Sequence, residues 1–141
     1  AMLAGKAFAN SPVAAVHALA YPIGGTFHIS HGLSNSLVLP YVLRFNSVDL
    51  KAAKNYAELA PYVFPKLDIN KGTQAVCAEF IDKLEDLSKR LGLPQKLREV
   101  DIPKNACEKM ASDAMKQTRL LVNNPREVTE KDAFNIYQSA W

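Results

Sequence analysis

All three histidines of this 141-residue chain fall in one stretch, HALAYPIGGTFHISHG, residues 17–32. Neutral imidazole is the commonest nitrogen ligand for zinc, iron and related divalent ions, so metal ligation is the first chemistry this clustering suggests. His31 falls where a helix is expected to begin, and the positive end of a helix dipole suits an uncharged ring. His17 can face His31 if the chain between them doubles back, and His28 lies in the connection with either direction open to it. Two imidazoles do not complete a catalytic metal site, which usually takes three protein ligands. Histidines beside turns also serve as caps or as satisfied polar groups, and from residue types alone that reading stands beside ligation. Asp49 and Glu58, the nearest carboxylates, have no spacing that joins them to the cluster.

The elements that would position these rings are helices. Apolar residues recur at helical spacing along the chain, and nowhere do they alternate over several residues as in a strand, so the expected fold is all-α with about six helices. Ser11-Pro12 reads as a helix start, and Pro22 with Gly24 and Gly25 reads as its end, which makes the glycines the turn between His17 and His31. The next helix runs from His31-Gly32 through SNSLVLPYVLRFN, kinked at Pro40. Residues 51–63 form a shorter helix. Residues 71–91 are expected to bury Val76, Phe80, Leu84, Leu87 and Leu91 and to pair Glu79 with Lys83, Glu85 with Lys89 and Asp86 with Arg90. A helix over 103–122 carries Cys107, Met110, Ala114 and Leu121, the methionines filling core rather than binding metal. NNPR breaks the chain, and Thr129 with Asp132 caps a last helix that buries Ala133, Ile136, Tyr137 and Ala140.

Composition narrows the class of function. Apolar residues make up 48% of the chain, enough to fill the core of one domain. Lysine and arginine exceed the acidic residues by three, but they are scattered, which argues against nucleic acid as a partner. There is no apolar run of about 20 residues and no signal-peptide pattern, so the expectation is a cytoplasmic protein with no membrane partner. Cys77 and Cys107 form no CxxC and are expected as buried thiols.

The run AGKAFANSPVAAVHALAYPIGGTFHISHGLSNSLVLPYVLRFN resembles the second signature of the iron-containing (group III) alcohol dehydrogenases, and NNPREVTEKDAFNIYQSAW is similar to that family's C-terminus. The resemblance extends over essentially the whole chain. It implies the C-terminal all-helical, metal-binding domain of a dehydroquinate synthase-like fold, whose N-terminal domain binds NAD or NADP. It implies iron(II), or in some members zinc, held by one aspartate and three histidines, with His17 and His31 as two of the four. The other two come in the family from a D-x-x-x-H helix, a pattern this chain lacks. Residues 1–141 are therefore expected to be part of the helical domain of a longer enzyme, inactive in hydride transfer alone. The opening Ala1-Met2 fits either an added remnant or the family's small-residue helix.

The resemblance further implies a small alcohol, diol, aldehyde or ketone as substrate and a homo-oligomer as the assembly. It places Tyr21 and Phe8 near substrate or nicotinamide. Tyr21 stands where many members carry a second histidine, and a phenol does not shuttle protons at neutral pH as an imidazole does. Phe8 reads equally well as a core residue. Ser30 replaces a frequent proline before the last ligand. The alternatives are a non-catalytic helical assembly module, or part of a maleylacetate reductase or glycerol dehydrogenase.

Overall fold

The computed structural model describes residues 2–141; Ala1 lies outside the described residues. Helices α1 (Met2–Asn10), α2 (Ala15–Phe27), α3 (His31–Asn46), α4 (Leu50–Val63), α5 (Thr73–Arg90), α6 (Ala106–Met115), α7 (Thr118–Leu121) and α8 (Glu130–Ala140) follow in order. Two 3-10 turns, Ile69–Lys71 and Leu97–Val100, link them, and there is no strand among the described residues. No helix among them is long and apolar enough to cross a membrane.

The main core lies where α2, α3, α6 and α8 meet. Leu19 and Ile23 of α2 pack with Leu37, Val38 and Val42 of α3, Cys107 and Met110 of α6, and Ile136 and Tyr137 of α8, all buried. A second apolar layer joins α4 to α5 through Ala53, Ala60, Val76, Cys77, Phe80 and Ile81. Both cysteines are free and buried, and burial pushes both thiols up.

Several local expectations change. The helix carrying His17 starts at Ala15, not at Ser11-Pro12, and it does not end at Pro22 or at the glycines but continues to Phe27. Pro22 removes one backbone hydrogen bond, yet its ring is buried, and core residues Ala18, Leu19 and Ile23 on both sides of it hold the helix together. The reversal falls instead at residues 28–30, where His28 takes a left-handed conformation at φ 56° as the C-cap. Gly24 has a different task. A Cβ there would lie 3.2 Å from the Ile29 carbonyl oxygen and 3.6 Å from Ser34 Oγ, so a bare backbone lets the reversal fold tightly against α2.

The expected helix over 103–122 splits into α6 and α7 at Lys116-Gln117. On α5 the stripe is buried at Val76 and Phe80 and half-buried at Leu84, whereas Leu91, the C-cap, is 68% exposed. Glu79–Lys83 and Asp86–Arg90 pair as expected, but Glu85 turns to Arg44 of α3, which also bonds Asp82. That exchange is physically sensible, because one guanidinium spans two carboxylates and ties two helices together. The capping box of Thr129 and Asp132 forms in full at the start of α8.

Candidate metal centre

The reversal at residues 28–30 sets α2 and α3 side by side, and their imidazoles meet. The His17 and His31 ring centroids lie 5.1 Å apart with the planes tilted by 52°. Two imidazoles bound through nitrogen to one tetrahedral ion, with metal–nitrogen bonds of about 2.1 Å, place their centroids roughly 5 Å apart. The pair thus has the spacing that a shared ion needs.

His17 is half-buried and His31 is exposed. Burial, with a smaller contribution from the neighbouring His31 ring, pushes the His17 imidazole below its ordinary range. Both causes favour the neutral form, which is the ligand form. Backbone supports hold α2 and α3 in place around the rings. Tyr137 of α8, fully buried, donates its hydroxyl hydrogen to the Leu19 carbonyl at 2.6 Å, two residues beyond His17. Ser34, one turn into α3, donates to the carbonyls of Ser30 at 3.0 Å and Ile29 at 3.3 Å, closing the reversal from the other side.

Tyr21 lies one turn after His17 on the same face of α2, and its ring centroid is 6.1 Å from that of His31. It is 46% exposed, so its hydroxyl can reach a molecule at the rim of the pair. Phe8 is elsewhere in character. It sits on α1, a helix with no buried residue, and is 58% exposed within this chain. His28 is exposed at the C-cap of α2.

Asn35, one turn after His31, carries a role that residue types alone did not suggest. Its Nδ2 lies 3.0 Å from His31 Nε2 and 2.9 Å from the His31 carbonyl oxygen. The signal was present in the sequence as an i,i+4 pair on a helix face. No three histidine, cysteine, aspartate or glutamate side chains gather as a metal site among the described residues. What the fold builds is a pair of neighbouring imidazoles on α2 and α3.

The sequence profile described as "Fe-containing alcohol dehydrogenase family, C-terminal" matches residues 1–141. This chain belongs to the iron-containing alcohol dehydrogenase family. Long-chain-alcohol dehydrogenase 1 of Geobacillus thermodenitrificans is 39% identical over 142 residues, covering 99% of this chain and 34% of its own length. The 1,3-propanediol dehydrogenase of Citrobacter freundii is 31% identical, with 99% and 35% covered. Among solved structures, an alcohol dehydrogenase from Oenococcus oeni superposes with a TM-score of 0.89 at 30% identity, covering 99% of this chain and 36% of that one. The chain thus spans about a third of the length of these relatives, and the family profile it matches is that of the C-terminal part.

Proposed function

We propose that this chain is the metal-holding helical part of an iron- or zinc-dependent NAD(P) alcohol dehydrogenase that interconverts small alcohols or diols with aldehydes or ketones. The observation that carries the reading is the 5.1 Å pair of His17 and His31 on neighbouring helices of a family member. On this reading the remaining ligands, an aspartate and a third histidine, and most of the dinucleotide site come from polypeptide outside these residues. The ion when bound supplies Lewis acidity to a substrate oxygen, and the nicotinamide supplies the hydride chemistry.

His17 and His31 hold their rings from two helices fixed by separate backbone contacts, so the spacing between them is set before any ligand arrives. Tyr21 orients a substrate or nicotinamide polar group through its exposed hydroxyl, and Phe8 lines the apolar approach. The alcohol and diol named for the relatives support that substrate class. A cytoplasmic homo-oligomer belongs to the same proposal.

Zinc titration of this chain, followed by the histidine ring resonances, tests the half-site. The His17 and His31 signals should move together with one midpoint while His28 stays in place. Equal movement of all three, or movement of His28 alone, would contradict it.

A further inference from the structure

Asn35 presents an arrangement that helix formation does not require. Its carboxamide nitrogen faces two atoms of the same residue, His31 Nε2 at 3.0 Å and the His31 carbonyl oxygen at 2.9 Å. Its oxygen, Oδ1, is buried and finds no hydrogen-bond partner among the described residues. A buried acceptor without a partner opposes folding, so something must hold the amide this way round.

The carbonyl supplies the reason. A flipped amide would set Oδ1 against the His31 carbonyl oxygen, two acceptors facing each other, so the orientation follows from the backbone. A carboxamide NH2 has two hydrogens and can only donate. With one hydrogen on the carbonyl, the other goes to Nε2, which must then offer its lone pair, and the ring proton must lie on Nδ1.

We propose that Asn35 is a positioning residue that fixes His31 as the Nδ1–H tautomer and so makes Nε2 the nitrogen presented to the metal. Partners of metal-bound histidines commonly fix the tautomer by bonding the nitrogen remote from the ion. Here the amide instead holds the lone pair itself. Ligation through Nε2 would require one Asn35 N–H to leave that atom, while the second N–H would keep the side chain on the His31 carbonyl. The orphaned Oδ1 is the cost of this orientation.

The inference rests on the metal reading of His31, but its test does not need the metal. In metal-free solution at about pH 8, above the ordinary histidine range, nitrogen NMR of this chain should show His31 with a pyridine-like Nε2 and a pyrrole-like Nδ1. Asn35→Asp is nearly isosteric and turns the donor into an acceptor, so it should shift the ring from predominantly Nδ1–H to predominantly Nε2–H. A role confined to helix packing would leave the tautomer the same in both proteins, and that result would overturn the proposal. If the variant fails to fold, the unsubstituted chain still decides, because a predominantly Nε2–H ring there overturns the assignment of Asn35. Zinc added to the same sample separates the two readings. A His31 signal indifferent to zinc would overturn the ligand reading and with it the presentation of Nε2 to an ion, whatever the tautomer.

Discussion

Asp132 shows how one side chain reports on the ordering of an element of the main core. Its carboxylate accepts from the Thr129 hydroxyl at 2.6 Å and from the Thr129 backbone N–H at 3.0 Å. These bonds, that to the hydroxyl first, hold its carboxyl below the usual carboxylate range. A carboxyl depressed in the folded state contributes stability that is present above its unfolded value, about 3.9, and is lost as pH falls through its folded value. Asp132→Ala should therefore lower stability at neutral pH by about 1 kcal/mol, the scale of a lost helix cap. The gap between native and variant should narrow at pH 3 or below, as read by denaturant unfolding at both pH values. A gap that stays constant with pH would show that the charged capping box contributes nothing. Residue types made this box legible, since Thr129 and Asp132 stand at the spacing that reciprocal capping requires. They did not reveal Asn35, because its role depends on which atoms of one amide face which atoms of one ring.

At the scale of elements, the sequence marks the helices well and their breaks less well. Proline and glycine are breakers in isolation, yet α2 runs through Pro22, Gly24 and Gly25 because its flanking residues are buried and a single missing N–H is a small loss beside that burial. Conversely, nothing in local pattern stops a helix at Lys116, where α6 gives way to α7. The histidine pairing survived the misplaced turn, since His31 still begins a helix and a reversal still precedes it. The two adjacent glycines can be told apart by experiment. A Cβ on Gly25 meets nothing within 4 Å, whereas one on Gly24 crowds the Ile29 carbonyl at 3.2 Å. Gly25→Ala should stabilise by about 0.5–1 kcal/mol through the backbone entropy it removes. Gly24→Ala should fall short of that gain or destabilise, because a backbone carbonyl yields poorly. Equal denaturation midpoints for the two variants would contradict the close approach of the reversal to α2.

Across the whole molecule, one strong core joins α2, α3, α6 and α8, while large apolar side chains stay exposed on several elements, α1 and α4 among them. Met2, Leu3 and Phe8 stand out from α1, and Leu59, Tyr62 and Val63 from α4. Exposed apolar surface of this kind favours association, so the chain should form dimers or larger species as concentration rises. Light scattering checks this, and a monomer over a wide concentration range would count against it.

The all-helical class was legible from periodicity, whereas residue types left the pairing of His17 with His31 open beside a capping role, because spacing in sequence does not fix distance in space, and the resemblance singled the pair out. The proposed metal centre requires that His17 and His31 hold one ion together. The test is the metal content of the longer enzyme proposed above, purified without oxygen, native and with His31→Ala or His28→Ala. We predict near one iron or zinc per chain in the native and His28→Ala proteins and almost none in His31→Ala. Unchanged metal in His31→Ala would contradict ligation by His31.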